Sequence, residues 1–525
     1  MAGLVDVILR GAILALGSLT LGGVAWLALV ARVEPYAKPD AVAVRALRLV
    51  TLGAAGAALA QTATLAVAVT ALGGPDDGWP LAAVLETAFG TAALARLALG
   101  VVTGALALRL ASAPGGPVAW RVLQATAVLL VVSSAALSHA VARVEGRLPL
   151  LLLDAVHQVA AAVWIGGLAH LTVFALRGGE EAPPDRRAEL LGRFSTMAFA
   201  AVTTLVLAGG ALTVAYVAEP AALVGTAYGV MVLSKALLLA VILTLACANW
   251  RFVRRAARQR PTRLLRFVEV ELGLGLTVFF AAASLTSLPP AVDVTVDRAT
   301  VAEVAARFSP ALPRLASPPV AELIRTADPL MGRQVRRTAI ERAWSESNHH
   351  WAGLFVVTMA VVATLERLGV RAARHWPLGF LGLAAFVFLR SDPRAWPLGP
   401  AGFWESFTLP DVVQHRTFVV LVVAFAVFEW SIRTGRLPAR PWSYVFPLLC
   451  AVGGGLLLTH SHAMFSLKDE FLTEVTHAPL GILGVVMGWA RWLELRLPES
   501  ARAAGWISTA CFVAVGLVLL VYREG

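Results

Sequence analysis

The chain has 525 residues, of which 58% are hydrophobic and 15% are charged, and its formal net charge is +11. A soluble protein carries about 25% charged residues, so this composition argues against a soluble domain and indicates a membrane protein. The positive charge does not indicate nucleic-acid binding, because the arginines lie in short loops between apolar segments, where basic residues orient a protein in the membrane.

Apolar segments long enough to cross a bilayer recur along the whole chain. A transmembrane helix needs roughly 20 mostly apolar residues, and a backbone within lipid must satisfy its own hydrogen bonds. The sequence therefore predicts an all-α polytopic membrane protein with about fourteen transmembrane helices. The predicted spans are 10–32, 44–72, 82–108, 119–142, 149–176, 194–217, 226–250, 267–288, 351–366, 376–390, 412–432, 441–460, 476–495 and 503–522. The short span 376–390 is expected to be tilted, re-entrant or broken.

The distribution of basic residues predicts the topology. Alternate loops hold most of the Arg and Lys, and cytoplasmic loops are enriched in these residues, so both termini are predicted to be extracytoplasmic. The first apolar segment has no small-residue cleavage pattern and is expected to stay as a span. We predict an eight-helix bundle over 1–288, a periplasmic linker with short amphipathic runs such as Val301–Phe308 over 289–348, and a six-helix His-rich bundle over 349–525.

Eight of the ten histidines fall at or near the ends of spans that are predicted to face outside. Imidazole is the commonest protein ligand for transition metals, so this layer predicts metal or haem binding from that side; the alternative is that histidines merely cap helices at the interface. Only His170 and His375 fall toward the inside. The predicted metal ligands are His349, His350, His415, His460, His462 and His477 in the second bundle, with Met464 close by, and His139 and His157 in the first.

A short internal repeat supports this layer. Ser-His-Ala occurs at 138–140 and again at 461–463, and each copy is followed by an acid three residues before a histidine. Residues three apart share a helix face, so Asp154 and Glu474 are predicted to orient His157 and His477 by accepting the second imidazole N–H. Chance similarity of so short a motif is the alternative.

A deeper layer of sulfur ligands is a further hypothesis. Met359, Cys450 and Met487 each lie ten residues from a histidine of the second bundle, which is about 15 Å along a helix. Thioethers and thiols favour Cu(I), although the same residues also fill gaps between helices. Two intramembrane charges, Arg96 and Lys235, are expected either to pair or to line a polar path.

Several motifs of the sequence resemble the CopD family of copper-resistance membrane proteins. The resemblance implies an inner-membrane protein of copper homeostasis that moves copper from periplasm to cytoplasm. It is strongest over 120–290 and extends to the long members of the family over 340–500. The motifs are Ser138–Ala140, Asp154 with His157, Trp164–Gly167, Arg193–Ser195, Ala227–Lys235 and Ala248–Trp250, then Ser347–Trp351, Trp396–Gly399, Gln414–Arg416, Thr459–His462 and Thr476–Pro479.

The main hypothesis is therefore a copper transporter whose histidine layer captures the ion, with binding that weakens below about pH 6 as imidazole protonates. Its expected partners are copper ions, the lipid bilayer and a periplasmic copper chaperone. One alternative is a haem b redox protein that uses His157 and His170, thirteen residues apart on one helix and taken to share nearly one face. Another is a copper sensor or assembly factor. No Walker loop or HExxH motif is present, so no enzymatic activity is expected unless haem is bound.

Overall fold

A computed structural model describes residues 2–74, 78–177, 183–256, 261–296, 298–326, 338–438, 441–459, 467–497 and 502–524. These residues form α-helices joined by turns and short 3₁₀ segments, with no β-strand among them. The helices are α1 (Ala2–Ala25), α2 (Ala41–Leu72), α3 (Leu81–Glu86), α4 (Ala88–Ser112), α5 (Gly116–Val132), α6 (Arg147–Arg177), α7 (Pro184–Val217), α8 (Pro220–Gly225), α9 (Ala227–Ala256), α10 (Pro261–Leu285), α11 (Val301–Arg307), α12 (Val320–Thr326), α13 (Ala339–Arg367), α14 (Gly379–Arg390), α15 (Pro410–Arg433), α16 (Val445–Leu458), α17 (Leu467–Glu474), α18 (His477–Arg496) and α19 (Arg502–Leu520).

The prediction of an all-α polytopic membrane protein is confirmed. Thirteen helical segments of the described chain are long and apolar enough to cross a membrane, and a shorter apolar helix lies at Trp442–Leu458, where another span was predicted. The short predicted span 376–390 begins with a 3₁₀ segment over Arg371–Leu378 that contains Pro377, and α14 follows it. Proline cannot donate the backbone hydrogen bond of a helix interior, which is consistent with 3₁₀ geometry ahead of α14. Arg371–Arg390 together remain one segment long enough to cross a membrane.

Packing divides the chain into two compact units. The N-terminal unit comprises Ala2–Glu219 and Lys235–Val292, and the C-terminal unit comprises Pro220–Ser234 and Asp293–Gly525. Residues 220–234, placed by sequence in the first predicted bundle, thus pack with the C-terminal unit. Both units are built from apolar helices with many small residues, which let helix backbones approach closely where lipid supplies no hydrophobic driving force.

The first 290 residues contain a duplicated four-span segment that sequence analysis missed. Gly-Gly at 22–23 in α1 recurs at 166–167 in α6, and Thr-Ala-aromatic-Gly at 87–90 recurs at 226–229. Each Thr follows a six-residue helix and accepts a hydrogen bond from the glycine N–H, at 3.0 Å in both copies. A cation lies nine residues after each Thr, Arg96 in α4 and Lys235 in α9. The two copies therefore share short sequence motifs, local structure and the position of a cation within a span.

The linker carries a short helix that docks on the C-terminal unit. Thr300 and Glu303 form a capping box at the start of α11, which satisfies backbone donors that would otherwise lack partners. Val304 is buried against Phe471 and Leu472 of α17. Lys468 pairs with Glu303 at 2.8 Å, and this ammonium hydrogen bond, with those from Thr300, lowers the pKa of Glu303 to about 2. The predicted amphipathic run is thus a short capped helix.

Helices α16 and α18 meet at glycines. A Cβ added at Gly454 would lie 2.5 Å from the Gly481 carbonyl oxygen, whereas a Cβ added at the adjacent Gly453 would have no neighbour nearer than 3.9 Å. Gly454 therefore marks a point of closest backbone approach and Gly453 does not.

This difference predicts opposite outcomes for the same substitution at adjacent positions. Gly454→Ala overpacks the interface and should destabilise the detergent-solubilised protein by about 1–3 kcal/mol. Gly453→Ala should be neutral or slightly stabilising, because alanine is the better helix former by about 1 kcal/mol. Thermal unfolding of both variants measures this, and equal melting temperatures would contradict the glycine-mediated contact.

Candidate functional site

Two predicted metal ligands come together in the C-terminal unit. The ring centroids of His349 in α13 and His477 in α18 lie 6.2 Å apart. His349 is anchored by a hydrogen bond between its Nδ1 and the Ser345 carbonyl at 2.9 Å, and its ring stacks on Tyr522 at 4.0 Å. Tyr522 is only 3% exposed. The structure thus forms an aromatic group of two imidazoles and one phenol. Sequence analysis missed the tyrosine, because no motif marks it.

His350 has a different environment from its neighbour. It is fully buried, its Nδ1 accepts the Arg314 backbone N–H at 2.6 Å, and its Nε2 bonds to the Tyr522 carbonyl at 2.8 Å. Both ring nitrogens are therefore engaged by the main chain. A metal would have to displace one of these bonds, so the geometry favours a role for His350 in fixing the backbone.

His415 lies in a carboxylate–imidazole pair. Its Nδ1 bonds to Asp392 Oδ1 at 2.9 Å, and the Ser391 hydroxyl donates to the other carboxylate oxygen at 2.7 Å. Such a pair orients an imidazole toward a metal. Glu474 ends α17 and His477 begins α18, with a two-residue turn between them; the predicted pairing of these two side chains stays a prediction.

The three predicted sulfur ligands belong to one hydrophobic core of the C-terminal unit. Met359 and Cys450 are both buried in it, and Met487 packs against it. The same core contains several buried aromatic side chains, namely Trp376, Phe380, Phe425, Phe446 and Phe512. The fold therefore places two thioethers and a thiol in a dry, aromatic environment.

In the N-terminal unit, His157 lies against α7. Its Nδ1 bonds to the Leu205 carbonyl at 3.2 Å, and a Cβ added at Gly209 would lie 2.9 Å from its ring, so the glycine makes room for the imidazole. The predicted second-sphere bond is not formed: Asp154 accepts from the Gln158 amide at 3.0 Å instead of from His157.

The environment of His157 includes the cation Lys235. The Lys235 ammonium interacts electrostatically with both Asp154 and His157. His139 bonds through Nε2 to the Leu285 carbonyl at 3.2 Å and meets Tyr216 edge-on at 6.2 Å. The predicted residues of this unit thus belong to a polar region that also includes Lys235 and Tyr216.

Arg96, in the first copy of the duplication, is structurally paired. Its guanidinium donates to Gln61 Oε1 at 3.1 Å, to the Ser133 hydroxyl at 3.1 Å and to the Ser133 carbonyl at 3.0 Å. These neutral acceptors satisfy the buried cation, which favours structural pairing over a polar path at this residue.

The haem geometry considered from sequence is wrong. Thirteen residues at 3.6 residues per turn place two side chains on nearly opposite faces of a helix. The structure agrees: His157 contacts α7, whereas His170 lies against Gly23 of α1 and bonds to the Leu19 carbonyl at 3.0 Å. The two rings do not face a common space.

The remaining predicted ligands His460, His462 and Met464 lie outside the described residues. Within the ranges that the structure describes, no three His, Cys, Asp or Glu side chains are grouped closely enough to hold a metal ion. His349 and His477 would therefore need a further ligand, or an ion that accepts two-coordination, to hold a metal.

A network of six charged residues in the C-terminal unit was missed by sequence analysis. It joins the ends of α13, α15 and α18, and Glu429 within it is only 2% exposed. Arg367 makes a two-pronged contact with Glu494 at 2.6 and 3.1 Å, and Arg491 bonds to Glu494 at 2.6 Å. The members are Glu366, Arg367, Glu429, Arg433, Arg491 and Glu494. Arginines at span ends were interpreted only as topology signals, and their carboxylate partners lie on other helices.

Comparison with known proteins finds a match to one family over part of the chain. Residues 188–285 match the model of CopD, copper resistance protein D. The copper transport protein CutJ of Bacillus subtilis (strain 168) is 32% identical over 162 residues, which are 30% of this chain and 29% of CutJ. No solved structure matches significantly.

The match confirms the resemblance stated from the motifs. The chain spans less than a third of the length of the curated relative it matches. The CopD domain includes Leu205 and Gly209, which contact His157, and also Lys235. His157 itself precedes the matched residues.

The contact between Arg367 and Glu494 predicts a charge-reversal result. Arg367→Glu or Glu494→Arg alone leaves like charges in a mostly buried network and should cost about 3 kcal/mol of stability. The double exchange should recover part of that loss. Melting temperatures of the purified variants measure it, with exposed Arg436→Glu as the control. A double variant no more stable than the worse single variant would contradict the pairing.

Proposed function

We propose that the protein is an inner-membrane copper transporter that moves copper from the periplasm to the cytoplasm. The observation that carries this proposal is the CopD domain at 188–285, together with the similarity to a protein named for copper transport. Transport, with no catalysed reaction, is the activity we propose. Copper is the cargo, and a periplasmic chaperone is its proposed source.

In the C-terminal unit, His349 and His477 are proposed to receive the ion. A metal about 2.0 Å from one nitrogen of each imidazole fits between rings whose centroids lie 6.2 Å apart. His415, oriented by Asp392, is proposed as a neighbouring ligand on the same predicted side. His460, His462 and Met464 remain proposed ligands from the sequence.

Below this pair, Met359, Cys450 and Met487 are proposed to hold copper in transit. Their common core supports this proposal, since soft sulfur ligands in a dry environment favour Cu(I) over hard cations.

In the N-terminal unit, His139 and His157 with Asp154 and Lys235 are proposed as a second copper-handling region, because the groups facing His157 lie in the CopD domain.

Removing both imidazoles, His349 and His477, tests whether this pair binds copper. His349→Ala with His477→Ala should weaken Cu(I) binding to the purified protein by at least tenfold, because two ligands are lost. Competition with a chromophoric Cu(I) chelator measures the affinity. His375→Ala, at an exposed histidine on the other predicted side, is the matched control and should bind normally. Unchanged binding in the double variant would refute this assignment.

Removing two of the proposed sulfur ligands tests whether copper passes through this core. Cys450→Ala with Met487→Leu should lower copper uptake into proteoliposomes by at least tenfold while binding at the histidine pair persists. Cys511→Ala replaces another buried cysteine that lies outside this core and should transport normally. Copper binding without any flux in the wild-type protein would instead indicate a sensor or assembly factor.

A further inference from the structure

Two buried polar side chains meet within the CopD domain and take no part in the proposed copper sites. Glu271 in α10 is 4% exposed and Asn249 in α9 is 7% exposed. The Asn249 amide donates from Nδ2 to Glu271 Oε1 at 2.7 Å. Both residues lie in helices long and apolar enough to span the membrane.

The described residues supply no cation to this carboxyl group. Only burial and the Asn249 hydrogen bond act on Glu271. Among the charged side chains of α9 and α10 that the structure describes, Lys235 interacts with Asp154, Arg263 lies over the Phe267 ring, Arg266 pairs with Glu269, and Arg251 is exposed. Helix α10 packs against α1 and α6. Several titratable groups on α1 and α6 have partners of their own. Asp6 pairs with Arg10, Asp154 accepts from Gln158, and His157 and His170 bond to the backbone carbonyls of Leu205 and Leu19.

The partner amide has an unsatisfied acceptor. Asn249 Oδ1 is buried and makes no hydrogen bond to any described residue. Buried polar atoms without a partner are rare and costly. A proton on Glu271 would give Asn249 Oδ1 its missing donor. The same proton would neutralise a carboxyl group that no described cation pairs with.

A carboxylic acid and a primary amide form a cyclic pair with two hydrogen bonds. The amide N–H donates to one carboxyl oxygen, and the acid O–H donates to the amide oxygen. The first bond is present at 2.7 Å, and the unsatisfied Asn249 Oδ1 is the acceptor that the second requires. We propose that Glu271 and Asn249 form a proton-binding site of the CopD domain, in which Glu271 carries the proton and donates it to Asn249 Oδ1.

Physical chemistry favours a proton over a metal ion here. An isolated carboxylate in a low-dielectric interior costs so much free energy that it takes up a proton instead. A hard cation would require about six oxygen ligands, and the two side chains supply three oxygens at most. A protonatable carboxyl group inside a span is the class of site that a proton-coupled carrier uses. This inference goes beyond the proposed function and does not depend on copper.

Infrared spectroscopy of the full-length protein in detergent tests the site. The difference spectrum of Glu271→Gln against wild type at pH 7 should show the loss of one carboxylic acid C=O band, which shifts to lower frequency in D₂O. Glutamine is nearly isosteric with the neutral acid, so the variant should melt at the wild-type temperature. Asn249→Leu should move the band to higher frequency, because the carbonyl loses its hydrogen-bond donor.

The matched control is Glu269→Gln, two residues away in the same helix, where the carboxylate pairs with Arg266; it should leave the acid band unchanged. Loss of carboxylate bands in place of the acid band in Glu271→Gln would overturn the proposal. Sodium or copper that elemental analysis finds bound to wild type and absent from Glu271→Gln would also overturn it. No copper measurement enters the infrared result, so failure here is distinct from failure of the transport proposal.

Discussion

The structure depends on one constraint: a polar group in the hydrocarbon region must find its partner inside the protein. Arg96 meets this with neutral acceptors on two other helices, and the six-residue network of the C-terminal unit meets it with alternating acids and arginines. Glu271 has no such cation among the described side chains, and the proposed proton satisfies the same constraint. Since unpaired charges cost several kcal/mol, these partners determine which helix faces can meet.

The two copies of the duplication carry different charges at equivalent positions. The twin Gly-Gly motifs let α1 and α6 pack closely, with Gly22 against Gly166. At the position equivalent to Asp154 the first copy has Arg10, and at the position equivalent to Lys235 it has Arg96. The first copy therefore holds cations where the second holds an acid and a lysine beside His157. The CopD match falls within the second copy, which is consistent with its different side chains.

In the C-terminal unit, the predicted imidazole and sulfur ligands occupy different environments. His349 is held by a backbone hydrogen bond and by Tyr522, whereas Met359, Cys450 and Met487 lie in or against an aromatic core. A half-exposed imidazole can exchange an ion with water, and a dry sulfur cluster excludes water and hard cations. Rigid glycine contacts between α16 and α18 fix Cys450 relative to Met487, because these residues lie on the two helices that the contact joins.

The sequence by itself determined the fold class, thirteen of the spans and the resemblance to CopD, because hydrophobic length and short motifs are local properties of the chain. It also singled out Met359, Cys450 and Met487 as one layer, because helical rise converts sequence spacing into depth. Only the tertiary structure decided which groups meet between distant parts of the chain: Tyr522 beside His349 and Asp392 beside His415. Within α6 it also decided that His157 turns toward α7, which leaves Gln158 as the donor to Asp154. Rotation about each helix axis and the choice of neighbouring helix decide such contacts, and neither is encoded in local spacing.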